Sequence, residues 1–413
     1  MAHECRYCRA PLTQTVADLG LSPVSNHFRT PEETAHKMQM VFPLVAMVCE
    51  GCWLVQLTDV ETPPHFDESY VYFSSFSTSW LDHARRYADA AMARLELTSG
   101  SLVVELASND GYLLKNFRAA GIPVLGVEPT ANTAAAALEN HGVESIVDFF
   151  GVALAEKMRQ DGHAADLIVG NNVLAHVPDI GDFVEGVARL LARGGSASFE
   201  FPHLLRQFEG GQFDTIYHEH FSYLSLLAVE RIFSDKGLEV YGVEELPTHG
   251  GSLRVWAKHR GDTPSDAALE AGRDKVRADE NRAGLETLAP YARFANAAPA
   301  CKLELLSLLI DIKRQGKTIC GYGAPAKGNT LLNYCGIDTE LLPFTTDLSP
   351  HKQGMMLPGR TIPVHAPEHI DEVRPDFVLI LPWNLKDEIM SQLAHIRDWG
   401  GRFVVAIPKV EVL

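Results

Sequence analysis

The chain has 413 residues, more than one hydrophobic core usually supports, so two to four domains are expected. Hydrophobic residues make up 46% and charged ones 22%, and no apolar run approaches the ~20 residues that cross a bilayer, so the cytoplasm is the expected compartment. With 36 basic against 53 acidic residues the formal charge is −17, which excludes nonspecific nucleic-acid binding and docking on an acidic membrane, though not an anionic small molecule held by local lysines. The opening MAHECRYCRA lacks the basic-then-apolar layout of a secretory signal.

The first feature along the chain is a pair of C-x2-C knuckles, CRYC and CEGC, with residues 9–48 between them. Cys5, Cys8, Cys49 and Cys52 supply the four thiolates of a closed tetrahedral Zn²⁺ site, which leaves no open position for chemistry and therefore staples a small domain over residues 1–65. VFPLVAMVCEGC reads as a strand running into the second knuckle, as in a zinc ribbon. Four reduced thiols in a small core would need the doublet spacing to be accidental, and a redox pair would need a neighbouring βαβ pattern that this region lacks. The odd cysteine count, with Cys301, Cys320 and Cys335 far away, speaks against a disulfide framework.

A second domain is expected over residues 66–260. ESYVYFSSFSTSWLDHARRYADAAMARL has an aromatic, serine-rich entry, whose Tyr72 or Ser75 could cap a cofactor pocket, and then an amphipathic helix over 79–95. SLVVELASNDGYLLKNFRAAGIPVLGVEPTAN follows as buried strand 102–106, tight loop, helix from Gly111 to about 121, and strand 124–127 ending in Glu128. Glu128 lies 17 residues beyond Gly111, where an acid accepts hydrogen bonds from ribose hydroxyls. The loop is not G-x-G-x-x-G. Glu105 at the strand end, then Ala107, Asn109, Gly111, Tyr112 and Leu113, suits instead S-adenosylmethionine (SAM), which carries an ammonium and a sulfonium and no pyrophosphate. Ala107 stands where many methyltransferases have glycine, and its methyl narrows the approach.

Further on, IVDFF places Asp148 and Phe149 after a third strand, suited to an adenine amino group and ring face. DLIVGNNVLAHVPD is a fourth strand, 166–169, running into Asn171, Asn172 and His176 at its carboxyl end, where open α/β sheets bind ligands. A helix over 180–191 and the fifth strand SASFEFPH follow. An α/β domain whose cleft is empty or holds another nucleotide is the alternative.

Between that strand and the helix–strand–turn–strand unit LLAVERIFSDKGLEVYGVEELPTHGGSLRVWAKH lies FDTIYHEHFSYLS, in the substrate-side insertion. If extended, this segment puts His218 and His220 on one face and Tyr217 and Glu219 on the other, so a turn is required to gather them. A metal site from the two histidines lacks a third ligand at close spacing, and an aromatic core with satisfied histidines is the plainer alternative. Beyond it, a helical connector over 262–315 leads to a second, smaller α/β pattern, and together they make a C-terminal domain over 261–413. In its GYGAPAKG loop, the helix N-terminus after Ala324, with Lys327 and Lys352, could hold a diphosphate; a lysine on a solvated helix end is the alternative.

Taken in order, the C-x2-C pairs, VVELASNDGYLL, GNNVLAHVPD, YHEHFSYLS, HGGSLRV and GYGAPAKGNTLLNYCGI resemble the nucleotide-sugar C-methyltransferases of deoxysugar biosynthesis over nearly the whole chain. The resemblance implies an α/β chain of three modules: an N-terminal zinc-ribbon-like domain, a central Rossmann-like SAM methyltransferase domain and a C-terminal Rossmann-like α/β domain without NAD. It implies methyl transfer from SAM to the ring carbon beside the ketone of a dTDP-4-keto-deoxysugar through a base-generated enolate. His220 is then the base, with a pKa suited to the task. Tyr217 would donate to the enolate oxygen and Glu219 would orient or polarise the base. His249, Lys327, Asn329 and Lys352 would meet the substrate. A nucleotide sugar is the expected partner, with neither nucleic acid nor membrane, and a monomer is the working expectation. Methylation at oxygen or nitrogen, an NAD-dependent oxidoreductase and a non-catalytic zinc-bearing interaction protein are the competing functions.

Overall fold

The computed structural model describes residues 3–62, 66 and 73–413. Near the N-terminus the strands Gln14–Ser22, Phe42–Val48 and Val55–Leu57 form an antiparallel sheet, and the short pair His3–Glu4 and Pro11–Leu12 frames the first knuckle. Each knuckle closes on itself: Cys5 N–H donates to Ala10 O at 2.8 Å and Trp53 N–H to Cys49 O at 2.7 Å. The fourth strand of this sheet, Ser222–Tyr223, comes from the histidine-rich segment and pairs antiparallel with Val55–Leu57 through Ser222↔Gln56 and Tyr223↔Val55.

The central sheet has seven strands in the order Leu238–Leu246, Ser252–His259, Leu191–Pro202, Ala165–Asn171, Val103–Leu106, Val124–Val127, Ser145–Ile146. Only Ser252–His259 runs against its neighbours, so the last strand is reversed and the first five are parallel. Chain order changes direction between Val103–Leu106 and Ala165–Asn171, the point at which open α/β sheets bind ligands beyond the strands' carboxyl ends.

Two elements differ from the sequence expectation. The helix expected from Gly111 begins at Leu114, because Ala107 (φ 58°), Asn109 (φ 48°) and Gly111 (φ 76°) spend the intervening residues on a left-handed loop. A side chain at Gly111 would also meet the Ala137 Cβ at 3.1 Å. The fifth strand starts at Leu191, five residues early, because Leu191 pairs with Ala165 before a bulge returns the ladder to Ser196↔Leu167.

The connector is three helices, Ala267–Ala283, Ala289–Phe294 and Ala297–Arg314. The first docks on the central domain: Glu280, 3% exposed, accepts from the backbone N–H groups of Leu226 (2.7 Å) and Leu227 (2.9 Å) and pairs with His203 Nε2 at 2.7 Å. It thereby satisfies orphan donors at the start of the helix Leu226–Asp235. The C-terminal sheet runs Val364–His365, Thr345–Thr346, Ile319–Tyr322, Phe377–Ile380, Arg402–Val405, Glu411–Val412, parallel but for the last strand, with the helix Ala326–Cys335 after the first of them in sequence. Hydrophobic cores cross the sequence boundaries. One joins Val16 and Leu44 of the N-terminal sheet through Phe213 and Ile216 to Leu331 and Trp383, and another joins Cys5 and Leu54 to the central sheet. Among the described residues no helix is long and apolar enough to cross a membrane.

Candidate active site and zinc centre

The four N-terminal cysteines converge, with their Sγ atoms all within 4.8 Å of one another, Cys5 to Cys52 at 3.6 Å and Cys8 to Cys49 at 3.4 Å. Four sulfurs about 2.3 Å from a tetrahedral ion stand roughly 3.8 Å apart, so the cluster fits Zn²⁺ with all positions taken by protein. Gln56 Nε2 donates to Cys5 Sγ at 3.1 Å and Gln56 Oε1 accepts from Arg6 N–H at 2.7 Å, which steadies a thiolate ligand. Among the described residues this is the one group of side chains with metal-ligand spacing, and His218 and His220 form no such group.

At the switch point of the central sheet, Glu105 is 0% exposed, and its carboxylate oxygens make no well-formed hydrogen bond, the Tyr112 hydroxyl and the Leu114 N–H being the donors near enough to act on its charge. Burial, then the charge of Asp110, pushes its carboxyl well above the usual range. The Oδ1 atoms of Asn171 and Asn172, at the end of the neighbouring strand, are also buried without donors. A buried acceptor left unpaired costs about 1–3 kcal/mol. These acceptors therefore fit a ligand that brings positive charge and N–H donors, as the methionine end of SAM does. Asn171 Nδ2 donates to Tyr112 Oη at 3.3 Å, and Leu113 is fully buried beneath the loop. Glu128 accepts from Asn109 N–H at 2.8 Å and Thr130 N–H at 2.9 Å, tying the first loop to the second.

Asp148 and Phe149 lie at the open edge of the cleft, Phe149 63% exposed, with the Asp148 carboxylate accepting from Phe149 N–H at 2.8 Å. The serine-rich entry folds over the first loop: Ser74 N–H donates to Asn109 Oδ1 at 2.9 Å and Ser75 N–H to Asp110 Oδ2 at 3.0 Å. Tyr72 lies outside the described residues. Because Ala107 holds a left-handed φ of 58°, Ala107→Gly is expected to raise stability by about 0.5–1 kcal/mol without weakening SAM binding, measured by denaturant unfolding and titration calorimetry. A destabilised variant would show that the alanine methyl packs productively.

The histidine-rich segment makes a turn, with His220 N–H donating to Tyr217 O at 2.9 Å, and this turn brings Tyr217 and His220 to the same side. His220 Nδ1 faces the Thr215 carbonyl at 3.0 Å, which can only accept, so Nδ1 carries the hydrogen. Nε2 is then the lone-pair nitrogen and accepts from the Tyr217 hydroxyl at 2.7 Å. Burial, then His176, holds the imidazole pKa well below its ordinary value, so the ring is neutral. The His176 ring meets it edge-on at 4.7 Å and donates from Nδ1 to Glu219 O at 2.7 Å. The Glu219 carboxylate does not reach the base. It accepts from Asn26 Nδ2 at 2.9 and 2.7 Å, and burial pushes it up to about 7. Thr215 and Tyr217 orient His220 in its place. His218 points away, with Nε2 donating to Pro43 O at 3.1 Å.

Opposite stands His249, on the turn Thr248–Gly250, with a left-handed φ of 54°. Asn172 Nδ2 donates to His249 Nε2 at 3.1 Å, which puts this ring's hydrogen on Nδ1. Asn172 is itself left-handed at φ 55°, and such strain is retained where surrounding structure demands it. Thr248 Oγ1 donates to Glu200 at 2.8 Å, a carboxylate that also pairs with His83 and Arg254. From the C-terminal domain come Lys327, whose Nζ donates to Asn384 Oδ1 at 2.6 Å, and Asn329, whose Nδ2 donates to Ser25 O at 2.6 Å. Lys352 Nζ donates to Ala324 O at 3.0 Å. Asp347, the acid a dinucleotide loop would turn toward a ribose, accepts from Ala324 N–H at 2.7 Å and so ties the GYGAPAKG loop to the segment after the strand Thr345–Thr346.

Burial, then Lys327, lowers the His249 pKa to about 4 from 6.5, so below pH 6.5 the unfolded chain binds more protons than the folded one. Stability is therefore present above that pH and lost as pH falls toward 4, and His249→Gln should flatten the melting-temperature profile across this interval. An unchanged profile would show that His249 is solvated.

Sequence reasoning missed Asp214, inside the histidine-rich segment, and Asn26, Trp383 and Asn384, which reach the site from distant segments. A buried aspartate inside FDTIY was the one local signal.

Comparison with known proteins divides the chain in the same order. Family models match as a zinc binding domain over residues 5–66, a methyltransferase domain over 80–243 and a C-methyltransferase C-terminal domain over 247–408. The strand Ser252–His259, inside the last of these, belongs physically to the central sheet. The C-methyltransferase NovU of Streptomyces niveus is 36% identical over 99% of this chain and 96% of its own. An uncharacterized methyltransferase of Mycobacterium ulcerans is 32% identical over 120 residues, 29% of this chain and 46% of its own. Among solved structures, the PH0226 protein of Pyrococcus horikoshii covers 46% of this chain and 95% of its own at 16% identity and a TM-score of 0.38.

Proposed function

The chain belongs to the SAM-dependent C-methyltransferases, with a structural zinc centre, and from that premise we propose that it methylates the ring carbon beside the ketone of a dTDP-4-keto-deoxysugar through an enolate. The observation that carries the reading is the neutral His220, its Nδ1–H given to Thr215 O and its Nε2 turned toward Tyr217 in a buried cleft. A carbon acid beside a carbonyl needs such a base, whereas oxygen or nitrogen already has a lone pair.

The residues act as follows. The substrate carbonyl competes with Nε2 for the Tyr217 hydroxyl, and once that hydrogen bond moves to the carbonyl the Nε2 lone pair is free. His220 Nε2 then takes the ring-carbon proton, and the C–H electron pair becomes the enolate, whose oxygen Tyr217 stabilises. The resulting imidazolium keeps its Nδ1–H on Thr215 O, so its orientation is unchanged. Glu105 and the two asparagines would hold the ammonium and sulfonium end of SAM, which when bound supplies an electrophilic methyl group. Lys327, Asn329 and Lys352 would meet the sugar nucleotide.

The test is incubation with a dTDP-4-keto-6-deoxysugar in D₂O, with and without SAM, followed by NMR and mass. Deuterium entering one ring carbon, replaced by a methyl group when SAM is added, is expected. A methyl group gained at oxygen or nitrogen without exchange would refute the enolate route.

A further inference from the structure

Trp383 touches Asp214, Gly250 and Lys327, three residues that border the proton-transfer end of this site. It opens the turn Trp383–Leu385 just beyond the C-terminal strand Phe377–Ile380 and is 7% exposed. Its Nε1–H donates to Asp214 Oδ2 at 2.7 Å, and Asp214 is 0% exposed. Asp214 immediately precedes Thr215, whose carbonyl takes the His220 Nδ1–H, and both lie in the single turn Phe213–Thr215. A side chain at Gly250 would come within 2.5 Å of the indole Cη2, so the residue after His249 packs close against the ring's edge. The Lys327 ammonium sits over the indole, 4.6 Å from the ring centroid.

From this convergence we infer that Trp383 is a positioning residue: through its N–H on Asp214 and its ring on Gly250, the C-terminal domain sets where His220 and His249 stand. The inference rests on the reading of His220 as the base. Displacing a general base by about 1 Å costs on the order of 100-fold in rate, so a pin linked to it through two hydrogen bonds and one peptide unit has leverage on the chemistry. The electrostatics agree. Burial pushes Asp214 up to about 6, while the Lys327 charge and then the indole N–H work to keep it ionised. A buried carboxylate whose donor is removed must find another partner or take a proton, and either outcome shifts the turn that carries Thr215.

The test separates the pin on Asp214 from packing. Trp383→Phe removes the N–H together with the distal ring edge, Cη2 and Cζ3, that meets Gly250, whereas Asp214→Asn leaves the whole indole in place and removes the carboxylate charge that its N–H pins. Wild type, both single variants and the double variant are compared in the ring-carbon exchange assay, with SAM affinity, KM for the sugar nucleotide and melting temperature measured alongside. Each single variant is expected to exchange about tenfold more slowly with the other three quantities nearly unchanged, and the double variant to be no slower than either single. Exchange by Trp383→Phe within twofold of wild type overturns the inference, and so does a loss that parallels falling SAM affinity and melting temperature. Should the phenylalanine variant not fold, Asp214→Asn is judged by the same criteria. A wild type that neither exchanges nor methylates overturns the base assignment and this inference together, whereas active wild type with indifferent variants overturns this inference alone.

Discussion

His220→Asn is expected to lower both deuterium exchange and methyl transfer by 10²–10⁴-fold, about 3–5 kcal/mol of barrier, while leaving SAM affinity as in the wild type. The asparagine amide has no lone pair basic enough to take a carbon-bound proton, and the cofactor-site acceptors Glu105, Asn171 and Asn172 lie on, or just after, the strands Val103–Leu106 and Ala165–Asn171, away from the turn that carries His220. Tyr217→Phe should cost less, because the base survives and only the donor to the developing oxygen is lost. Single-turnover methylation and NMR exchange are the measurements. An asparagine variant that still exchanges within tenfold of wild type would remove His220 from the reaction and direct attention to His176, whose ring touches it.

The second large effect is expected far from that histidine. Cys52→Ser, or stripping the metal with a strong chelator, should abolish methyl transfer and lower the melting temperature by about 10 °C or more, since structural zinc contributes folding energy outright. The loss of activity follows from strand pairing. The residues directly after His220 form the edge of the N-terminal sheet, with Ser222 opposite Gln56, and Gln56 is hydrogen-bonded to the zinc ligand Cys5. Asn26, from the same domain, holds the Glu219 carboxylate. SAM binding should survive within a fewfold, because its cleft belongs to the central sheet. Metal-free protein that keeps both its melting temperature and its turnover would show that the thiols alone hold the fold.

The strands, the cofactor loop and the zinc knuckles were legible because their signals are local: apolar runs bounded by turn residues, a glycine after an acid, cysteines two apart. Legibility failed where distant residues decide. Nothing near Trp383 announces Asp214, and nothing near Asn26 announces Glu219. The GYGAPAKG loop looks nucleotide-binding by spacing, yet Asp347 folds back onto Ala324. The late start of the helix at Leu114 was obscured because Ala107 adopts left-handed backbone angles that alanine seldom takes, followed by Asn109, a residue that tolerates them. The connector reads as polar and amphipathic, and its Glu280 reveals itself as a helix cap only once the helix Leu226–Asp235 is beside it.

The pairing of Val55–Leu57 with Ser222–Tyr223 also sets an order of events at the ribosome. The N-terminal sheet is synthesised long before its fourth strand, and residues 58–221 must be made in between, roughly 10–30 s of elongation at ~5–20 residues per second. Throughout that interval the Val55–Leu57 edge has unpaired backbone groups and an apolar flank, the kind of surface that recruits strands from other chains. Zinc capture by four cysteines within the first 52 residues gives the nascent domain a closed centre early, so metal supply during translation should govern how much chain escapes aggregation as well as how stable the finished enzyme is.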